Sequence, residues 1–214
     1  MKLNIVKNEL QHILQGKSSV SHGELIQAIA SYLRKSTETS AMAQTNEPNK
    51  KEETKNLIQY INENNLWNCD VNFSLFISQG AEQRVFLQSK TKVLKLNDSI
   101  YYASWVDYFN NLLLNNYFFP DTAYQLLGFY KSDNDTIYAL VEQNYVESYQ
   151  PTDLSNVKEF LRNNGFINTK NHDYYNPDLG IILEDLHDEN VLTANEILYF
   201  IDTVFYIKHE VLWH

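Results

Sequence analysis

The eleven residues Ile182–Leu192, ILEDLHDENVL, set four acids, a histidine and an asparagine in a frame of aliphatic side chains. A polar turn between two strands would produce that pattern. So would a site in which two strands hold Asp185 and Asn190 toward a ligand. Ten residues after this stretch, the apolar run ILYFID (Ile197–Asp202) ends on another aspartate, Asp202, twelve positions beyond Asn190. The rest of the chain decides between a turn and a site.

With 214 residues the chain suggests one domain with an appendage. It is 43% hydrophobic, and its 15 tyrosines and 11 phenylalanines make large aromatics a main source of packing. The formal net charge is −10 and no basic run is long enough to track a phosphate backbone, which disfavours nucleic acid as a partner. An acidic surface favours solubility and can also attract cationic substrates. The single cysteine, Cys69, excludes an intramolecular disulfide and a cysteine-based zinc knuckle. Residues 1–16 mix lysines, Glu9 and His12 with apolar positions, so they make neither a signal peptide nor a spanning helix; the expected location is cytoplasmic, with no membrane partner.

Leu3, Val6, Leu10, Ile13 and Leu14 recur at helical spacing until Gly16. Leu25, Ile26, Ile29 and Leu33 repeat the pattern behind Ser21, a plausible N-cap. These predict a helical appendage over 1–35. Residues 36–54, polar and broken by Pro48, read as a linker, and a short helix carrying Leu57, Ile58 and Ile61 opens a second unit over 55–214. The period then changes: Val71, Phe73, Leu75 and Ile77 alternate as a half-buried strand, and Gly80 marks a turn. RVFLQ (84–88) and KVLKL (92–96) form two more strands joined through SKT. Helical spacing over 101–116 is bounded by Pro120, and AYQLLGFY and TIYALVEQ flank the turn KSDND as a hairpin. A helix near 153–163 precedes the opening stretch, and ILYFID is expected as the last strand. The order is α+β.

Strand, glycine turn, strand, strand with lysine, helix, hairpin, helix, D-x-x-x-x-N and strand with aspartate, in that order, resembles a protein kinase. DLHDENVL is similar to the corresponding loop of aminoglycoside-phosphotransferase-like kinases. GAEQRV (80–85), NYFFPDTAY (116–124) and NPDLGIILEDLHDEN (176–190) resemble the compact kinase domains of bacterial polyvalent proteins of mobile elements, over about residues 70–206. The resemblance implies a minimal protein-kinase-like fold with a five-stranded antiparallel N-lobe sheet, one inserted helix and a truncated C-lobe. It implies ATP and Mg²⁺ as cofactors and transfer of the γ-phosphate to a hydroxyl-bearing acceptor, protein or small molecule. Asp185 would be the catalytic base and Lys95 the phosphate anchor. Asn190 and Asp202 would be the metal ligands, hard oxygen donors that suit Mg²⁺ better than zinc. Gly80, Glu82, Val85, Val93 and Leu192 would surround the nucleotide, and Glu142, Gln143 and Asn144 would offer hinge backbone to adenine. His187 is expected to support the loop or to touch a phosphate.

Lys95 has an ordinary reading too, as a surface lysine on a strand whose faces are divided between Val93 and Lys95 on one side and Leu94 and Leu96 on the other. Three departures from the kinase pattern stand out. Ser78 and Gln83 occupy the places of the flanking glycines. The helix over 101–116 has no glutamate, so the carboxylate partner of Lys95 is expected to be Glu82 or Asp107, with Glu82 favoured. Only twelve residues follow Asp202, too few for an activation segment and helical platform, and DTV replaces D-F-G. The alternative to an enzyme is therefore a pseudokinase acting as a nucleotide-responsive or structural interaction module.

Overall fold

A computed structural model describes residues 3–39, 50–68, 70–80 and 83–214. Helix α1 (Leu3–Leu14) ends where Gly16, at φ +71°, lets the chain turn back so that Lys17 N reaches the His12 carbonyl at 2.7 Å. Helix α2 (Gly23–Thr39) starts one residue later than Ser21 as N-cap would place it, because His22 takes a left-handed conformation at φ 54°. The apolar faces of both helices, including Leu10, Ile13, Ile26, Ile29 and Leu33, are buried. They share one core with helix α3 (Lys50–Glu63) and helix α4 (Trp105–Phe118).

The polar segment 36–54 is thus helical at both ends, and only 40–49 lies outside the described residues between them. The start of α3 is polar because it is a seam. Lys50 Nζ donates to the carbonyls of Ser99 and, at 2.8 Å, Tyr102. The Glu53 carboxylate accepts the Trp105 and Val106 amides at 2.6 and 3.2 Å, and the Trp105 indole donates to Thr54 Oγ1 at 3.0 Å. Those amides belong to the first turn of α4, where no intrahelical acceptor exists. The turn begins at Trp105 rather than at 101 because Ser104 caps it, accepting the Asp107 amide at 3.0 Å.

Five strands form an antiparallel sheet in the order β1-β2-β3-β5-β4: β1 (Phe76–Gln79), β2 (Gln83–Leu87), β3 (Lys92–Asn97), β4 (Gln125–Lys131) and β5 (Ile137–Asn144). The alternation from Val71 to Ile77 is not a half-buried strand. Asn72 caps a 3₁₀ turn over Phe73–Leu75 by accepting the Ser74 amide at 3.1 Å, which leaves β1 four exposed residues. Phe73 instead turns its ring onto Phe86 and Tyr130, both at 5.5 Å. One face of the sheet (Leu126, Phe129, Ala139, Val141) joins the core under α4. The other (Phe86, Leu94, Leu96, Leu140) makes a smaller core of its own. Gly128, at φ +140°, lets residues 66–68 lie against β4, where a Cβ would sit 2.4 Å from the Leu66 carbonyl oxygen.

After β5 the chain forms helix α5 (Leu154–Asn163), capped by Asp153, and then six short strands. The strands β6 (Ile167–Lys170), β7 (Asp173–Asn176), β8 (Ile181–Glu184) and β11 (Val204–Ile207) make a sheet in the order β11-β8-β7-β6; β9 (Val191–Ala194) and β10 (Ile197–Phe200) pair as a hairpin. ILYFID is therefore not the last strand. It yields to β11 and to a final helical turn, α6 (His209–Leu212). Phe119 stacks on Phe200 at 4.0 Å and Phe118 on Phe205 at 5.7 Å, tying the end of α4 to the segments on either side of Asp202. No described helix is long and apolar enough to cross a membrane.

Candidate active site

Alternation along β3 sends Leu94 and Leu96 into the small core and leaves Val93 and Lys95 on the opposite face. Lys95 is only 3% exposed, which excludes the surface reading. Its Nζ donates to the Ile201 carbonyl at 2.7 Å, stands 3.8 Å from Asp202 Oδ1 and lies 5.3 Å from the centre of the Tyr124 ring. Burial pushes the Lys95 ammonium below its ordinary pKa, and the Asp202 charge opposes that shift. Asp202 sits in the bend between β10 and β11, and its Oδ2 accepts the Gln83 side-chain amide at 2.7 Å.

The residues at 185–190 form a compact polar turn. Asp185 is left-handed (φ 66°) and donates its amide to Asp173 Oδ1 at 3.3 Å. Asn190 Nδ2 donates to both the carbonyl and Oδ2 of Asp185 at 2.9 Å, so Oδ1 of Asn190 is the atom suited to a metal. His187 Nδ1 accepts the Glu189 amide at 3.3 Å, and its Nε2 stands 3.2 Å from Asp185 Oδ1. Asn190 Nδ2 also stands 3.2 Å from His187 Nε2, so the imidazole packs against both Asp185 and Asn190. The Ile201 amide donates to the Asn190 carbonyl at 2.9 Å, joining this turn to the bend that carries Asp202. Burial, followed by the charges of Asp173 and Asp185, raises the pKa of neighbouring Glu184.

Both groups face one cleft of about 720 Å³. Gly80, Val85 and Val93 line it from the five-stranded sheet, Leu192 from the β9–β10 hairpin, and Gln143 and Asn144 from the end of β5, together with Lys95, Asp185, Asn190 and Asp202. Glu142 does not line it. Strand alternation turns that side chain to the other face, where it pairs with Lys92 at 2.9 Å, and its place in the sheet is between Leu94 and Gln125. At the end of β5 and just beyond it, residues 143–146 border the cleft. The Gln143 side chain is buried and donates to the Thr122 carbonyl at 2.7 Å.

Glu82 lies outside the described residues. Asp107 is not beside Lys95: from the first turn of α4 its charge acts on Arg34 and Glu53. Among the described residues, the carboxylate at Lys95 is Asp202 itself. Helix α4 contacts the site through amides instead. Asn111 Oδ1 accepts the Phe205 amide at 2.8 Å, and Asn115 Nδ2 donates to the Thr122 carbonyl at 3.1 Å. Asn116 brackets Tyr124, accepting its amide at 2.7 Å and donating to its carbonyl at 2.8 Å. Thr122 Oγ1 donates to the Phe200 carbonyl at 2.6 Å, and Tyr124 Oη to that of Ile201 at 2.8 Å. The signal for this network was the doubled asparagines at 110–111 and 115–116, in a helix buried on nearly every side.

The donor set is oxygen-based. No three described His, Cys, Asp or Glu side chains gather into a metal cage. A carboxylate and an amide oxygen beside a cleft with room for phosphates fit Mg²⁺, which keeps waters and takes few protein ligands. Searches of curated proteins and of solved structures find no match to this sequence. A family model does match, over residues 50–209, so that every element from α3 to β11 falls within it. The glycine turn, the strand lysine, the polar turn and the aspartate bend all lie in that span, and the chain belongs to the serine/threonine/tyrosine kinases found in polyvalent proteins.

Proposed function

We propose that the chain transfers the γ-phosphate of ATP to a hydroxyl group, with Mg²⁺ bound alongside the nucleotide. The observation that carries this reading is the convergence of three separate segments, β3, the 185–190 turn and the bend at Asp202, on one cleft. The adenine lies between Val85 and Val93 above and Leu192 below, with backbone of residues 143–146 at its edge. Lys95 donates to the phosphates, releasing the Ile201 carbonyl to Tyr124. Asn190 Oδ1 and Asp202 hold Mg²⁺, which neutralises phosphate charge when bound. Asp185 takes the acceptor's proton as the acceptor oxygen bonds to the γ-phosphorus and the bond to the β-phosphate oxygen breaks, leaving ADP. The amide of Asn190, donating to Asp185 Oδ2, orients the Asp185 carboxylate.

A nucleotide-responsive module without transfer is the competing reading. It draws on Gln83, whose amide occupies Asp202 Oδ2, and on a helix α4 without a glutamate. Melting curves and γ-labelled ATP separate the two. Ligand at a hundredfold excess over Kd stabilises the folded state by about 2.7 kcal/mol, roughly 5–10 °C for a chain of this size. The expected result is a rise with Mg²⁺-ATP that Asp202→Ala removes and Asp185→Ala keeps, while Asp185→Ala slows transfer about 10²–10⁴-fold. A rise without transfer to the protein itself or to lysate favours the module. No rise with any nucleotide leaves a structural interaction module as the better reading.

A further inference from the structure

Kinases of the general pattern place the strand lysine with a glutamate from the inserted helix. Here α4 has none, yet Lys95 is buried, at 3% exposure. Its restraints come from elsewhere. The Ile201 carbonyl receives two donors, Lys95 Nζ at 2.7 Å and Tyr124 Oη at 2.8 Å, while the Tyr124 ring stands 5.3 Å from the ammonium. Tyr124 is 3% exposed and does not line the cleft, so it acts on the lysine from behind. Its own backbone is clasped at both ends by the Asn116 side chain, and Asn115 and Gln143 fix the Thr122 carbonyl two residues earlier.

We infer that Tyr124 is the positioning residue for the phosphate-anchoring lysine, and that α4 orients Lys95 through Asn116 and Tyr124 in place of a glutamate. The inference rests on the proposed role of Lys95 at the phosphates. Physically, the ring supplies a negative face that favours the ammonium in a dry site, while the hydroxyl holds the Ile201 carbonyl where the ammonium finds it. When Lys95 swings to a phosphate, the hydroxyl keeps that carbonyl satisfied. The lysine thus leaves no orphaned acceptor behind, and the bend carrying Asp202 stays in place.

Equilibrium binding of Mg²⁺-ATP and of adenosine, by calorimetry, tests this. Adenosine reports the adenine pocket and an intact fold; the ratio of the two affinities reports the phosphate anchor. Tyr124→Leu is expected to weaken ATP roughly tenfold and to leave adenosine within about twofold. In a Lys95→Met background the same change is expected to have no further effect on ATP, since the two residues act as one unit. Tyr124→Phe, which keeps the ring, is expected to fall between wild type and Tyr124→Leu. If Tyr124→Leu does not fold, the Phe variant alone decides, an unchanged ATP-to-adenosine ratio overturning the inference. Equal weakening of both ligands, or undiminished weakening in the Lys95→Met background, also overturns it. A Lys95→Met variant with the wild-type ratio would instead remove the proposed role of Lys95, and this inference with it.

Discussion

Replacing Lys95 by methionine is expected to stabilise the protein while weakening its response to Mg²⁺-ATP and sparing adenosine. The ammonium is buried, and desolvation costs a buried ion several kcal/mol before its contacts are counted. Those contacts recover only part of the cost. The nearest carboxylate oxygen is 3.8 Å away, on a side chain 38% exposed and therefore screened by water. Removing the ammonium orphans nothing. The Ile201 carbonyl keeps its hydrogen bond from Tyr124 at 2.8 Å, and Asp202 Oδ2 keeps Gln83 at 2.7 Å. Methionine has nearly the length of lysine and fills its path through the sheet face. Replacing a buried charge by a well-packed apolar group of similar volume is worth roughly 1–2 kcal/mol, or a rise of roughly 2–8 °C in Tm for a domain of this size.

The pH dependence gives a second reading of the same quantity. Burial lowers the pKa of Lys95 in the folded state from its usual 10.5. Between that lowered value and 10.5 the unfolded chain binds more protons than the folded one, so wild-type stability rises with pH through this window. The methionine variant lacks that slope. Its advantage is therefore largest near neutral pH and shrinks as the pH climbs toward the ordinary lysine value. Calorimetric melts at about pH 7 and about pH 9.5 measure both effects. A variant that melts several degrees below wild type near neutral pH would refute the reasoning, because it would make the ammonium a net stabilising partner of Asp202 and Ile201.

Two further changes test the scaffold around the site. Glu53→Ala leaves the Trp105 and Val106 amides of α4 buried without their acceptor and is expected to cost roughly 2–4 kcal/mol in urea unfolding. Because burial raises the pKa of Glu53 above 4.5, wild-type stability falls as pH rises from 4.5 through the raised folded value, and Glu53→Gln is expected to lack that slope. Gly128→Ala places a Cβ 2.4 Å from the Leu66 carbonyl oxygen at a φ of +140° and is expected to destabilise by roughly 2–4 kcal/mol, measured by the same unfolding.

Where one periodicity ran long enough, the sequence was readable. The strict division of β3 into Val93/Lys95 and Leu94/Leu96 predicted which side of the sheet the lysine takes, and the hairpin from Gln125 to Asn144 followed from its alternation and its KSDND turn. The alternation from Val71 failed because a single side-chain acceptor, Asn72, offered the backbone a tighter turn than the strand. Strands β6 and β7 escaped notice because INTK is exposed throughout and DYYN buries only Tyr174 and Asn176, so neither carries an apolar run. The polar start of α3 read as linker for a related reason. Lys50, Glu53 and Thr54 meet backbone and indole groups of another helix, and no spacing along one segment encodes what a second segment leaves unpaired.

An ion pair between an inserted helix and the strand lysine is a single contact that helix rotation can make or break. Helix α4 is held at its start by α3, through Glu53, and at its middle by α2, through Arg34 and Asn110 at 2.7 Å. Its far end holds Thr122 and Tyr124 through Asn115 and Asn116, and its centre holds Phe205 through Asn111. Asn111 and Asn116 meet backbone groups of Phe205 and Tyr124, and Asn115 shares the Thr122 carbonyl with Gln143, so rotating the helix costs several hydrogen bonds together rather than one. The phenylalanines stacked between its end and the flanks of Asp202 oppose the same motion. The arrangement makes α4 a fixed strut, with α1 and α2 packed into the same core as its braces. Under the proposed function, the freedom that nucleotide binding needs then falls to side chains at the cleft: Lys95 moving from a carbonyl to a phosphate, and Gln83 leaving Asp202.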